Sequence, residues 1–363
     1  MGVLHGGGRY FARGTRWYTL SGVELLITGA TGFLGRTLTA RLVREGHRVR
    51  ALVRSESDPA ARERLRALGA VERVGTVTDE ATVRAAMAGV EAVVHCAQVG
   101  PRASDELAEA VNLVGAENVL HAARALGVRR MVFRSSESVT RGGVARSYVD
   151  EEHPSPPRFT DRSAEALSLA DDLVGAAGND AFSTVVIRPG ILWGPDDTRW
   201  LPAVLRRVLA GRWRWIDGGR SMVPTSHVDS VVDAMVRSLT VEVAAGRTYY
   251  VTDDERVTAR EFVSRSVAAA GAGKFSAGSL PYWAAYALGW WAERGDDPLA
   301  CHRAEVSTLG QVAYFNVQRA RKELGWAPVL SVDEGMRSLA AWAAKRGGAE
   351  VVARGEVDPA LPG

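Results

Sequence analysis

An α/β chain with a doubly wound parallel sheet, followed by a smaller substrate-side domain, is predicted by three observations. Strand-length apolar runs alternate with helix-length periodic segments through the first half, a glycine-rich turn joins the first such pair, and the composition changes after Gly190. The 363 residues suffice for two domains. Their 46% hydrophobic and 24% charged composition is that of a folded globular chain.

Residues 23–27 (VELLI) read as a buried strand because an apolar run of strand length stops at a glycine turn, 28–35. Apolar residues at helical spacing then mark 37–45 as a helix. The alternation continues with strand 49–53, helix 60–68, strand 71–74, helix 80–87, strand 92–95, long helix 107–126 and strand 130–134. A polar loop leads to helix 163–177 and strand 183–187. Strands separated by helices imply parallel pairing with helices on both faces. Beyond Gly190 lie nine of the ten tryptophans and prolines at 195, 202, 224, 281 and 328, which mark a different layer. The expected division is an extension over 1–20, a dinucleotide-binding domain over 21–190, a substrate-side domain over 191–345 and a tail over 346–363. Within the second domain about 221–265 returns to the sheet, through a strand at 248–251.

A net charge of +3 carries no nucleic-acid footprint. No run of about 20 apolar residues provides a membrane span. Cys96 and Cys301 are too few for a disulfide framework and lack zinc-ligand spacing, so a cytoplasmic protein without a metal is expected. Only Lys274, Lys322 and Lys345 are lysines among 45 cations.

Gly29, Gly32 and Gly35 follow a strand and open a helix. That context brings backbone N–H groups and a helix N-terminus against a pyrophosphate, so the turn Gly29-Ala30-Thr31-Gly32-Phe33-Leu34-Gly35 is expected to bind a dinucleotide. At the end of the second strand stands Arg54 where a carboxylate would grip the ribose hydroxyls of NAD. Arg54 suits a 2′-phosphate, which favours NADP, with NAD as the alternative.

The motif Thr28-Gly29-Ala30-Thr31-Gly32-Phe33-Leu34-Gly35 resembles that of the extended short-chain dehydrogenase/reductase superfamily, in its epimerase/dehydratase and 3β-hydroxysteroid dehydrogenase-like branch. Collinear matches follow at Val94-His95-Cys96-Ala97, Val111-Asn112-Leu113-Val114-Gly115, Arg134-Ser135-Ser136, Ile187-Arg188-Pro189-Gly190 and Trp193-Gly194-Pro195. The resemblance implies a Rossmann-type fold and cofactor contacts from Ala97, Gln98, Asn112, Ser135, Pro189, Gly190 and Ile191 besides the glycine turn. It also implies a homodimer through helices 107–126 and 163–177.

The same resemblance implies a catalytic Ser and a Tyr-x-x-x-Lys pair. Ser136 matches the Ser. The pair falls on Phe159 and Ser163, and no other Tyr-x-x-x-Lys occurs in the chain. A phenyl ring has no ionisable proton and a Ser hydroxyl no charge, so the usual proton transfer is missing. Glu137, directly after Ser136, and Tyr148 in the following loop are the candidate replacements. Arg134 and Arg162 are cations near the site that would hold a carboxylate or polarise a carbonyl. Trp193, Trp200 and the helical face Tyr282, Tyr286 and Trp290 are candidate walls for a bulky hydrophobic substrate, with ordinary core packing as the competing reading of that face.

Two chemistries remain open: reduction or oxidation with a substitute proton donor, and non-redox dehydration, isomerisation or cyclisation. A catalytically silent NADP(H)-sensing protein is the alternative from another class.

Overall fold

A computed structural model describes residues 22–357; the expected extension 1–20 lies outside the described residues. Seven parallel strands form one sheet: β1 (Glu24–Thr28), β2 (Arg48–Val53), β3 (Val71–Val74), β4 (Ala92–His95), β5 (Arg130–Arg134), β6 (Ser183–Pro189) and β7 (Arg247–Val251). Their spatial order is β7-β6-β5-β4-β1-β2-β3. The order reverses between β1 and β4, and at such a switch point the strand ends leave a crevice for ligands. The strand returning from the second half is β7, in register with β6 from Arg247 opposite Val185 to Val251 opposite Pro189.

The core forms because strands buried on both faces are almost wholly apolar. Leu25, Ile27, Val49, Ala51, Val94 and Val132 pack on one side against helices Phe33–Arg44 and Val228–Thr240. Leu26, Leu52, Val93, Met131 and Phe133 pack on the other against Gly115–Ala125 and Arg162–Gly175. The helix expected over 107–126 contains a π-helical segment, Glu109–Val114, between α-helical turns.

A third cluster, built around Trp193, Trp213, Trp215 and Phe262, forms the layer expected on the substrate side. Its short strand pairs, Ile191–Trp193 with Thr225–His227 and Trp215–Ile216 with Ser279–Leu280, are also parallel. The expected tail at 346 begins too early, because helix Ala349–Val352 buries Ala349 and Val352 in this cluster. Among the described residues no helix is long and apolar enough to cross a membrane.

Two buried arginines tie the layers together. Arg36, from the glycine-turn helix, places Nε and Nη2 3.2 and 3.1 Å from Asp196 Oδ2, and Arg64 Nη1 lies 2.7 Å from the same oxygen. Burial lowers the Arg36 pKa, and Asp196 opposes that shift.

Candidate active site

A cleft of about 1420 Å³ runs along the C-terminal strand ends and under the substrate-side layer. Thr31 to Gly35 line it, with Gly29, Arg54, Ala97, Gln98, Gly190 and Ile191. Gly29 adopts φ +67°, and a Cβ there would lie 2.6 Å from the Ala97 nitrogen; one on Gly35 would lie 2.2 Å from the Gly29 oxygen. Gly32 is different: a Cβ would meet only the Gly29 oxygen, at 3.2 Å. Gly29 and Gly35 thus hold the turn against the sheet, and Gly32 keeps the helix N-terminus open to the cleft. This cradle fits a pyrophosphate. Gly35→Ala is expected to cost about 1–3 kcal/mol or more through overpacking, read as a lower urea midpoint.

Three expected cofactor contacts act from behind the lining. Asn112 is buried, donates from Nδ2 to the Val99 and Ser163 carbonyls, and accepts the Val99 N–H. The Ser135 hydroxyl donates to Asp171, which also holds Arg188 at 2.6 and 2.9 Å. Pro189 is buried at the end of β6.

Ser136 and Glu137 both line the cleft. Ser136 Oγ accepts the Ser138 N–H at 3.2 Å, which leaves its proton available to a ligand. Glu137 is buried; its Oε1 lies 3.3 Å from Arg141 Nη1, and its Oε2 has no hydrogen-bond partner. Burial raises the Glu137 pKa above the usual carboxylate value, against the attraction of Arg141. Arg141 is fixed in turn by donating to the Ser307 carbonyl at 2.7 Å.

Other expected site residues are not brought in. Tyr148 is 62% exposed, at φ +60°, and stacks on Tyr314 away from the cleft. Trp193 is core: its indole N–H donates to Asp253 and its ring meets His227 and Phe262 edge-on. Trp200 does line the cleft, stacked on Phe262. Of the aromatic face, Tyr282 approaches only through its hydroxyl, 3.1 Å from Ser307 Oγ. Tyr286 stacks on Tyr282, and Trp290 is exposed under the Arg294 guanidinium. Arg162 pairs with Glu109 and Glu165 on the surface.

Phe159 lies before the helix Arg162–Gly175 and does not line the cleft, whereas Ser163, in the first turn, does. A Tyr and a Lys four residues apart must share one helical face. On this helix the face turned to the sheet carries Ser163, Leu167 and Asp171; Ser163 reaches the cleft, and Leu167, one turn on, is buried in the core. Asp161, Arg199, Ser307 and Leu309 also line the cleft and were missed from the sequence. Asp161 alone left a signal, as the acid capping a helix, where it accepts the Ala164 N–H at 3.0 Å.

Fold and cleft define an α/β enzyme of the dinucleotide-binding type. The model of the 3-beta hydroxysteroid dehydrogenase/isomerase family matches residues 26–281, and the chain belongs to that family. It is an NAD(P)-dependent oxidoreductase-like enzyme. It is 37% identical to a 4-hydroxy-2-methyl-3-oxo-4-farnesyl-3,4-dihydroquinoline-1-oxide ketoreductase of Stigmatella aurantiaca, over 87% of this chain and 96% of that one. It is 31% identical to a 2-alkyl-3-oxoalkanoate reductase of Stenotrophomonas maltophilia, over 88% and 99%. A 3-beta-hydroxysteroid dehydrogenase of Mycolicibacterium neoaurum is 29% identical over 86% and 88%. Among solved structures, a UDP-glucose 4-epimerase from Thermotoga maritima shares the fold, with a TM-score of 0.70 and 17% identity over 89% of this chain and 99% of that one. One from Bifidobacterium longum, solved with NAD+ and UDP, gives 0.68 and 19% over 90% and 99%.

Proposed function

We propose that the protein is an NADP(H)-dependent reductase of a hydrophobic ketone and that Glu137 supplies the proton which a tyrosine supplies elsewhere in its superfamily. The observation that carries this reading is Glu137 itself, buried beside Ser136 in the cleft with Oε2 unpartnered and its pKa raised. The two most similar relatives given above are a ketoreductase and an oxoalkanoate reductase, which favours reduction over the non-redox alternatives.

The glycine turn holds the pyrophosphate, and the end of β2 holds the adenosine. When bound, the reduced nicotinamide supplies hydride to the carbonyl carbon. Ser136 donates its hydroxyl proton as a hydrogen bond to the carbonyl oxygen and orients it. Glu137 holds a proton on Oε2 and gives it to that oxygen as negative charge develops. Arg141 stabilises the carboxylate left behind, which takes its next proton from water. Burial raises the pKa of this acid, so reduction proceeds below that raised value and declines as pH rises through it.

Both reductase names describe a ketone with an anionic oxygen in a fixed relation to it. In a 3-oxoalkanoate the carboxylate carbon is two atoms from the carbonyl carbon, and in a 3-oxo-quinoline 1-oxide the N-oxide nitrogen is two atoms from it. A hydrophobic substrate bearing such an oxygen fits a cleft lined by both Leu309 and Trp200 and by several arginines.

Arg54 supports NADP. It lines the cleft beside Ser55 and, among the described residues, pairs with the exposed Glu56 alone, 3.4 Å away. Arg54→Glu is expected to weaken NADPH by about 10- to 100-fold and leave NADH within a few-fold, read by tryptophan fluorescence titration. Equal losses for both dinucleotides would remove the 2′-phosphate role. Exposed Leu107, Val114 and Leu169 on the two long helices support a homodimer through them.

A further inference from the structure

The cations and carboxylates of the cleft do not balance locally. Every lining carboxylate is engaged: Glu56 with Arg54, Glu137 with Arg141, Asp161 with Ser163 and the Ala164 N–H, and Asp197 with the N–H groups of Arg199, Trp200 and Leu201. Glu305 is engaged with Arg102 and Arg207. Arg134 makes no ion pair with a described carboxylate, and its Nε is buried without a hydrogen-bond partner. The side chain as a whole is only partly buried and lines the cleft, so its unsatisfied donor faces a place where a ligand can bring the acceptor.

Its position says which ligand. Arg134 ends β5, and Ser136 follows two residues later in extended conformation, φ −154° and ψ 155°. Residues two apart on extended backbone face the same side. Ser135, between them, faces away to Asp171. Arg134 and Ser136 therefore address the same end of the cleft, where Ser136 meets the reacting carbonyl. Burial lowers the Arg134 pKa to about 10, the nearby Cys96 thiol opposes the shift, and the exposed Arg199 at the rim adds to it.

We infer that Arg134, with Arg199 at the rim, binds the anionic oxygen of the substrate while Ser136 binds the ketone oxygen. The ligand chemistry is a hydrophobic ketone, or the corresponding alcohol, carrying a carboxylate or N-oxide oxygen on an atom two away from the reacting carbon. The inference rests on the reductase reading for the role of Ser136, but its test is a binding measurement that does not require turnover.

The experiment uses full-length protein saturated with NADPH and follows tryptophan fluorescence with two ligand pairs. One is a 2-alkyl-3-hydroxyalkanoate and its methyl ester; the other is a 2-alkyl-3-hydroxyquinoline N-oxide and the 2-alkyl-3-hydroxyquinoline that lacks the oxygen. In wild type at least one charged or oxide ligand is expected to bind about 10- to 100-fold tighter than its neutral mate, the worth of a charge-assisted hydrogen bond. The pair showing that preference identifies the carboxylate or the N-oxide as the source. Arg134→Met is expected to abolish the preference, Arg134→Lys to keep part of it, and both to leave the NADPH Kd and the urea midpoint unchanged. No preference in either pair, a preference that survives Arg134→Met, or an NADPH Kd weakened to the same extent would each overturn the assignment. Preferential, Arg134-dependent binding without reduction of the matching ketones would uphold the subsite and reject the reductase reading.

Discussion

Glu137→Gln is expected to lower kcat for ketone reduction by about 10²- to 10⁴-fold, the range of general acid catalysis, with the NADPH Kd unchanged. The amide has nearly the shape of the carboxyl group and cannot release a proton. It also resembles the neutral form that burial favours, so the fold should accept it. The sign follows from the direction of the shift. A carboxyl whose pKa is raised in the folded state is favourable while protonated and becomes a liability as pH rises above its unfolded value. The variant should thus match wild type in urea midpoint at low pH and equal or exceed it at pH 8. Its residual rate should lose the decline with rising pH that the wild type shows. A variant that keeps full kcat, or keeps the wild-type pH profile, removes Glu137 from proton transfer.

The second large effect is a gain. Phe159→Tyr with Ser163→Lys, built into the Glu137→Gln background, is expected to recover about 10- to 100-fold of the lost kcat, part of the general-acid range. Residue 163 lines the cleft in the first helical turn, where Asp161 accepts from its side chain, and residue 159 directly precedes Thr160, which lines the cleft as well. The alternative pair one turn on, Ser163→Tyr with Leu167→Lys, should recover nothing. Its lysine would stand in the apolar core, where Leu167 packs without lining the cleft. Single-turnover reduction of a hydrophobic ketone compares the two variants. Recovery by the second pair and not the first would discard the alignment at Phe159 and Ser163.

The difference between those pairs shows what was legible in the sequence. The seven strands were: the inner ones because a strand buried on both faces has little other way to be written than as an apolar run, and the exposed edge strand Val71–Val74 by its two valines between helices. The glycine turn was legible because its three glycines perform steric tasks no other residue can. The start of helix Arg162–Gly175 was legible to one residue, but which of its side chains reach the cleft was not. Its start is set by Asp161 accepting the Ala164 N–H, and its inner face by Asp171 pairing with Arg188. Tyr148 and Trp193 were misplaced for a related reason. Aromatic residues serve packing and binding alike, and only the path of the chain shows that Trp193 is sealed in a core while Tyr148 lies on the surface. Arg134 was visible only as a cation near the site; its lack of a carboxylate partner is a property of the folded neighbourhood.

The Arg36–Asp196–Arg64 cluster has a mechanical consequence. It fastens the loop after β6 to the glycine-turn helix and to helix Pro59–Ala67, so the seam between the phosphate cradle and the substrate-side layer is riveted at one end. The opposite wall, where helix Arg303–Gly310 brings Glu305, Ser307 and Leu309 to the cleft, is held as well: Glu305 pairs with Arg102 and Arg207, and the Ser307 carbonyl accepts from Arg141. Arginines thus clamp the cleft on both sides, and its width is set by ion pairs rather than by apolar packing alone.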